Sequence, residues 1–414
     1  MSVRSQPEWT DESALAHVAR RLELDVLEEN LDGGSSARLF RARRGDATDV
    51  AIKLLVEQPG VVDGHDLASF TGKIAQIERI RERAPVLAAR CVPVLNRLEG
   101  DGWAAYTMPW YESVDVAASL RDDAGGAGLA AFHEQYEAIL DDLFVGGYGA
   151  ASAPAPRDHL ASVNVGRFLR RVAMLEHALP ADLVSRDELV VNGMPCRFAR
   201  LLLERLAGGD GPEIEHIAPP ALMFCAHGDA NTRNLLVGPA VDGAVDFKVI
   251  DPRGSCDAWD PVYDLAKALF SLSVWGPALR LGFTVRRDRL REDSFEVGFR
   301  GGTYAGYRAA IAGFPAFLRG HDGLAELLDG DEHWGQRLLL THDMHVLAEA
   351  PCRLSDPKPK LDCLGEPSTP EHLALGFFLL GTLLVNDLVE QLATGREIDA
   401  DRHLGLLTGE LPSG

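Results

Sequence analysis

Short alternating runs of apolar and polar residues fill the first quarter of the chain. Thr10, followed by Asp11 and Glu12, has the form of a helix N-cap with an acidic first turn and predicts a helix to about Leu22. Leu24 to Leu31, Ala37 to Arg43 and Val50 to Val56 then read as three strands of an antiparallel meander. Asp32-Gly33-Gly34-Ser35-Ser36 and Arg44-Gly45-Asp46 break the runs as turns. Apolar residues at Phe70, Ile74, Ile77 and Ile80 recur at helical spacing and predict one amphipathic helix over Phe70 to Arg83. Val92 to Arg97 and Trp103 to Met108, either side of Glu99-Gly100-Asp101-Gly102, add two further strands.

The pattern then changes period. Val114 to Pro220 reads as mostly helical, with Leu160 to Leu179 and Pro195 to Leu206 carrying the clearest helical spacing. Gly146-Gly147-Tyr148-Gly149 and the Ala/Pro-rich stretch Ala150 to Arg157 interrupt it. Its length suggests an inserted helical subdomain, which either shapes a pocket or enlarges the packing surface. Ala221 to Ala226, Leu235 to Val237 and Phe247 to Ile250 read as short strands separated by a polar loop and a glycine-bounded turn. Beyond Leu269 helices are expected at Leu324 to Leu328, Gly335 to Ala350 and His372 to Thr394.

Of the 414 residues 46% are hydrophobic and 25% charged, which suits a globular protein with ample core. A formal net charge of -21 disfavours nucleic acid and anionic membranes as partners. It would attract a cationic substrate, although acidic surfaces also serve solubility alone. The six cysteines form no C-x-x-C pair, so reduced thiols in a cytoplasmic protein are expected rather than a zinc cluster or disulfide framework. No apolar signal region opens the sequence, and even the greasiest run, His372 to Val385, is too short to span a bilayer.

The chemistry concentrates between Met223 and Gly254. Asp229, Asn234 five positions later, and Asp251 at the end of an apolar strand supply what phosphoryl transfer needs: a carboxylate to orient an attacking hydroxyl, and two oxygen ligands for magnesium against the phosphates. Upstream, Gly33 and Gly34 with Ser35 and Ser36 form either a tight hairpin turn or a loop whose N–H and hydroxyl groups cradle phosphate. Lys53 stands among apolar neighbours on a strand, where a lysine otherwise snorkels to solvent.

The segment His227-Gly228-Asp229-Ala230-Asn231-Thr232-Arg233-Asn234 resembles the H-G-D-x-x-x-x-N signature of the aminoglycoside phosphotransferase and choline kinase group, the small-molecule branch of the protein-kinase-like fold. Val50-Ala51-Ile52-Lys53 upstream and Asp251 downstream stand in kinase order, and the resemblance covers about Leu31 to Leu269. It implies an α+β, two-lobed fold: a small antiparallel-sheet lobe over 1–111 and a large, mostly helical lobe over 112–414, with 114–220 as the insertion. It further implies ATP and Mg2+ as cofactors and a small-molecule alcohol as partner.

By that resemblance Asp229 orients the substrate hydroxyl, Asn234 and Asp251 hold magnesium, and Lys53 contacts the phosphates. Glu78, or next to it Glu82, would fix the lysine, unless both belong to the helix's solvated face. Met108 would be the gatekeeper of an adenine-binding hinge in which Pro109 offers its C=O and Tyr111 its N–H. Asp264 in Asp260-Pro261-Val262-Tyr263-Asp264-Leu265-Ala266 would brace the loop, and His227 would support it. Gly228 where protein kinases carry arginine, and Pro252-Arg253-Gly254 where they carry Phe-Gly, point away from a peptide kinase switched by loop phosphorylation. Arg253 would touch a phosphate or anionic substrate group, or form a surface ion pair.

The expected reaction is transfer of the γ-phosphoryl group of ATP to a small polyhydroxylated metabolite or antibiotic, in resistance or biosynthesis. The alternatives are a primary-metabolite kinase for an amino alcohol or sugar, a regulatory pseudokinase, and a kinase with a protein substrate. In related enzymes the C-terminal region builds the acceptor pocket, for which Asp322, Glu326, Asp329, Asp331 and Glu332 are eligible, as they are for a solvated face. His342, Asp343 and His345 share a helix as packing residues or metal ligands.

Overall fold

The computed structural model describes residues 9–30, 37–57, 66–121, 126–208, 214–240, 242–255, 257–301, 305–354, 368–395 and 397–407. Gly33, Gly34, Ser35 and Ser36, the candidate phosphate loop, lie outside the described residues. The α+β, two-lobed expectation holds. The N-terminal lobe is a five-stranded antiparallel sheet, order β1-β2-β3-β5-β4, built from β1 (Leu24–Asn30), β2 (Arg38–Arg44), β3 (Asp49–Val56), β4 (Asn96–Gly100) and β5 (Trp103–Pro109).

Two helices cover the sheet. Thr10 caps α1 (Asp11–Leu22) by accepting from the Ser13 N–H, and Ala14 and Val18 of α1 pack on Val50, Ile52 and Leu54 of β3. On the other face α2 (Leu67–Arg83) lays Phe70 and Ile74 against Ala51, Leu55, Ala104 and Tyr106. Strand alternation therefore turns Lys53 to the α2 side, between Ala51 and Leu55. Gly72 of α2 touches the chain beyond Asp251 so closely that a Cβ there would stand 2.3 Å from the Gly254 carbonyl oxygen.

The C-terminal lobe is mainly helical but carries more strand than its sequence suggested. Within 114–220 four short strands interrupt the helices, and Pro195 belongs to the strand Met194–Arg197 rather than to the following helix, Ala199–Gly208. That strand pairs with Glu188–Val191, which joins the hairpin Phe283–Arg287 and Ser294–Phe299 in a four-stranded sheet. These runs span only four to six residues, below the length at which alternation separates strand from helix.

The core of this lobe centres on the mutually packed helices Trp334–Leu354 and Pro370–Ala393. At 24 residues the second exceeds the apolar run visible in the sequence, and its length and composition alone would suffice to cross a bilayer. Its most apolar window is 83% buried inside the protein. Polar side chains lock the same region. His403 shares protons with two carboxylates, its Nε2 3.2 Å from Asp343 Oδ1 and its Nδ1 2.8 Å from Asp387 Oδ2. His342 lies between Ser273 Oγ at 2.8 Å and Asp343 Oδ1 at 2.9 Å, and His345 Nε2 is 3.3 Å from the Tyr263 carbonyl oxygen.

Burial opposes the charge on His403, but Asp343 and Asp387 outweigh it and raise its pKa to about 9. The stability this contributes is fully present below pH ~6.5, the unfolded value, and is lost as pH rises through about 9. Chemical denaturation should therefore show wild type losing on the order of 3 kcal/mol between pH 6.5 and 9.5, and His403→Gln losing little over that window.

Candidate active site

The loop between the strands Ala221–Met223 and Leu235–Val237 is shaped by one buried carboxylate. Asp264, in the first turn of the helix Pro261–Phe270, accepts from the N–H groups of Gly228 at 2.8 Å and Ala230 at 2.9 Å and from the Tyr148 hydroxyl at 2.5 Å. Tyr148 in turn accepts from the His227 N–H at 2.9 Å. Gly228 sits at φ +74, which an L residue adopts only at a steric cost. The His227 ring takes an N–H from Asp229 at Nδ1, so its Nε2 carries the proton that Ile250 C=O accepts at 2.9 Å. His227 thus ties the Asp229 loop to the strand leading to Asp251.

That loop presents Asp229 and Asn234 to a cavity of about 410 Å3 that Lys53 and Asp251 also line. The Asn234 amide donates to Asp229 C=O at 2.8 Å, to Asp229 Oδ2 at 3.3 Å and to Asp251 C=O at 3.4 Å. Asp251 occupies the left-handed region at φ +58, a conformation Asp tolerates better than most residues and one that collects at functional sites. Its Oδ1 lies 2.5 Å from Lys53 Nζ and also pairs with Lys73 Nζ. Burial would raise its pKa, but the two ammonium groups hold it well below the carboxylate range.

Glu78 requires a correction. It is exposed, as is Glu82, and the residue α2 presents to the cleft beside Lys53 is Lys73. The buried stripe of α2 is Phe70, Lys73, Ile74, Gln76, Ile77 and Ile80, which leaves Glu78 on the solvent side. Gln76, absent from the sequence-based candidates, spends its whole amide on the site. Its Nε2 donates to Ala226 and His227 C=O at 2.9 and 3.1 Å, and its Oε1 accepts from Gly254 and Ser255 N–H at 2.7 and 3.2 Å.

At the hinge, Met108, Pro109 and Tyr111 all line the cavity. The N–H of Trp110 is committed to Asp49 C=O at 3.2 Å. The Tyr111 hydroxyl donates across to Asp246 Oδ2 at 2.7 Å, which fixes the chain where it passes between the lobes. None of Asp322, Glu326, Asp329, Asp331 and Glu332 lines this cavity: four are exposed, and Asp331 is buried against Arg337.

Lys267, one turn beyond Asp264, lies 3.1 Å from Asp229 Oδ1. Burial raises the Asp229 pKa, but Lys267 and Lys73 more than offset it and the net shift is downward. The carboxylate is therefore ionised at neutral pH, ready to accept a hydrogen bond. Replacing Lys267 by Met should move the acidic limb of the kcat/KM profile to higher pH, a shift that activity assays between pH 4 and 8 would read. An unmoved limb would separate Lys267 from the titration of Asp229.

The oxygen pair Asn234 and Asp251 suits a hard divalent cation such as Mg2+. Asp251 already gathers two positive charges at one carboxylate oxygen, so its surroundings tolerate concentrated cationic charge.

No protein-family model matches the chain, and no curated protein matches it. Among solved structures it is similar to a protein from Thermobifida fusca YX-ER1 described as a fructosamine-3-kinase, at 16% identity over 89% of this chain and 99% of that one, with a TM-score of 0.41. It is similar to an aminoglycoside-3'-phosphotransferase of type VIII at 18% identity over 82% and 97%, TM-score 0.44. It is also similar to the amicoumacin kinase hAmiN in complex with AMP-PNP, Ca2+ and Ami, at 11% identity over 94% and 96%, TM-score 0.42. At these scores the likenesses are loose, and the cleft's chemistry stands on its own geometry.

Proposed function

We propose that this chain is an ATP-dependent O-phosphotransferase that moves the γ-phosphoryl group to a hydroxyl of a small polyhydroxylated molecule, a metabolite or antibiotic. The observation that carries this is the convergence of Lys53, Asp229, Asn234 and Asp251 on one cavity that also reaches the hinge at Met108 to Tyr111. Residues 1–111 would hold the nucleotide and 112–414 the acceptor and catalytic loop. Among the described residues Cys91, Cys196, Cys225 and Cys352 are buried thiols, which fits a reducing cytoplasmic setting.

Asp229 accepts the hydrogen bond of the acceptor hydroxyl and takes its proton as the bond to phosphorus forms. Lys53 holds the α- and β-phosphates, and Lys73 is placed to help it. Asn234 and Asp251 would hold Mg2+, which supplies charge neutralisation at the phosphate oxygens. Gln76 and Asp264 fix the two loops so that these groups need little rearrangement at the moment of transfer.

An ATP-consumption screen of alcohols with wild type and Asp229→Asn tests the assignment. Acceptor-dependent ADP release that disappears in the variant supports it; release that persists at the wild-type rate removes Asp229 from the chemistry.

A further inference from the structure

A buried lysine beside a proton acceptor calls for a physical reason. Lys267 is 9% exposed, its Nζ stands 3.1 Å from Asp229 Oδ1, and it lines the same cavity as Asp229, Asn234 and Asp251. Burying an ammonium group is costly unless it is paired. A cation at that distance also makes a carboxylate a poorer proton acceptor, because it favours the ionised form. Base strength is therefore not what Lys267 adds to the reaction.

Its position is set by the helix it belongs to. Pro261–Phe270 is buried along its whole length. The catalytic loop is held to it at three backbone N–H groups: Asp264 accepts from Gly228 at 2.8 Å and Ala230 at 2.9 Å, and Ser271 Oγ, directly after the helix, accepts from Thr232 at 3.2 Å. Lys267, three residues after Asp264, reaches from the same helix face to the carboxylate of that loop. Phe270 flanks it, with its ring centroid 5.3 Å from Nζ. Loop, helix and ammonium group thus form one unit, so the charge needs little rearrangement to act.

The two oxygens of Asp229 are divided between neighbours. Oδ1 pairs with Lys267, and Oδ2 lies 3.3 Å from the Asn234 amide. A hydroxyl accepted by this carboxylate would lie about 2.6–3.2 Å from it, and about 3–3.5 Å from phosphorus in a near-attack arrangement. An ammonium group 3.1 Å from the same carboxylate therefore stands beside the path of the phosphoryl group. It carries three donors on a rotatable end, and Asp229 is its one ion-pair partner among the described residues.

Resting on the phosphotransferase assignment, we propose that Lys267 is a second catalytic residue, which bridges Asp229 and the phosphoryl group by donating to a non-bridging oxygen of that group during transfer. The acceptor oxygen forms the new bond to the γ-phosphorus, and the bond to the β,γ-bridging oxygen breaks with its electron pair leaving on ADP. The hydroxyl proton passes to Asp229, while Lys267 keeps its own. The contribution of Lys267 is electrostatic, because it neutralises charge spread over the oxygens of the group in flight. The carboxylate serves the alcohol and the ammonium group serves the phosphate.

The first test reads binding, so it needs no identified acceptor. Affinity for ADP with Mg2+ is measured by titration calorimetry with and without fluoroaluminate, which takes the place of the transferring phosphoryl group. Wild type should bind ADP about 100-fold or more tightly with fluoroaluminate than without it. Lys267→Met should bind ADP alone within about twofold of wild type and keep less than about a tenth of the fluoroaluminate gain. With an acceptor found active, the same variant should lose kcat about 100-fold at pH 8, above the acidic limb, with both KM values within about threefold.

An undiminished fluoroaluminate gain in Lys267→Met would overturn the proposal. Equal weakening of ADP alone would make Lys267 a structural or nucleotide-holding residue and overturn it as well. A kcat that recovers fully at pH 8 would reduce its role to the titration of Asp229, again against the proposal. A wild type whose ADP binding ignores fluoroaluminate would instead contradict the phosphotransferase assignment beneath it. A labelling arm uses wild type alone and so decides even if the variant fails to fold. Adenosine diphosphopyridoxal puts an aldehyde where the γ-phosphoryl group would lie, and borohydride fixes the imine formed with a nearby lysine. Peptide mapping should find the label on Lys267; label on Lys53 or Lys73 without Lys267 would overturn the assignment.

Discussion

Asp229→Asn is expected to lower kcat for phosphoryl transfer roughly 100- to 10,000-fold while leaving the KM for ATP close to wild type. The substitution keeps the size of the side chain and removes the ionised oxygen that Lys267 holds at 3.1 Å. Asn234 donates chiefly to the Asp229 backbone carbonyl at 2.8 Å, an interaction the variant retains, so the loop should keep its shape. The loss is then assigned to the proton and not to the fold, which circular dichroism and an unchanged denaturation midpoint would check. A fall in kcat of less than about tenfold would mean that positioning alone drives transfer and that Asp229 is dispensable as an acceptor of the proton.

The second large effect concerns stability. Arg337 is completely buried and spans Asp260 and Asp331, its Nε 2.6 Å from Asp260 Oδ2 and its Nη1 3.1 Å from Asp331 Oδ1, with Ile217 C=O at 3.2 Å. Asp260 also caps the helix Pro261–Phe270 through the Val262 N–H, and that helix carries both Asp264 and Lys267. Arg337→Ala leaves two buried carboxylates without their cation and should destabilise the protein by about 3–5 kcal/mol in urea denaturation. Replacing Arg337, Asp260 and Asp331 together by apolar residues should cost much less, because the unpaired charge and not the lost pair dominates. The single variant should also lose activity by loosening the Asp264 brace, a link that a surviving wild-type kcat would break.

How much of this was legible depends on what kind of element each residue occupies. Asp229, Asn234 and Asp251 stand in a short loop and at a strand end, where neighbouring apolar runs mark the boundaries and the spacing is itself informative. Lys53 was visible because strand alternation fixes its face once Val50, Ile52 and Leu54 are seen as core. The helical contributions were harder. Glu78 was chosen as a carboxylate for Lys53, but the phase of α2 follows its buried stripe, and that stripe includes Lys73 and Gln76. Both positions fall at helical spacing with Phe70, Ile77 and Ile80, so a polar residue inside an apolar stripe was the available signal.

Lys267 had a similar cue, three residues after Asp264 and on the same helix face. Arg167 and Arg171 had less: an arginine pair four apart reads as a solvated face unless the neighbouring helix is known. The sheet formed by Glu188–Val191, Met194–Arg197, Phe283–Arg287 and Ser294–Phe299 was hidden because its strands are short and come from segments about 90 residues apart, a pairing that only tertiary packing specifies. The arginines of the cleft were hidden for the same reason, since the cavity collects them from five separate stretches of the chain.

The central claim is that this cleft transfers a phosphoryl group from ATP to a small alcohol. The most direct measurement is to incubate the protein with ATP whose γ-phosphoryl oxygens carry oxygen-18 and a mixture of hydroxylated small molecules, then follow the label by its isotope shift in phosphorus NMR. The account predicts a new phosphate-ester resonance on a small molecule, growing with ADP and absent with Asp229→Asn. Label recovered only as inorganic phosphate, or bound to protein, would contradict it.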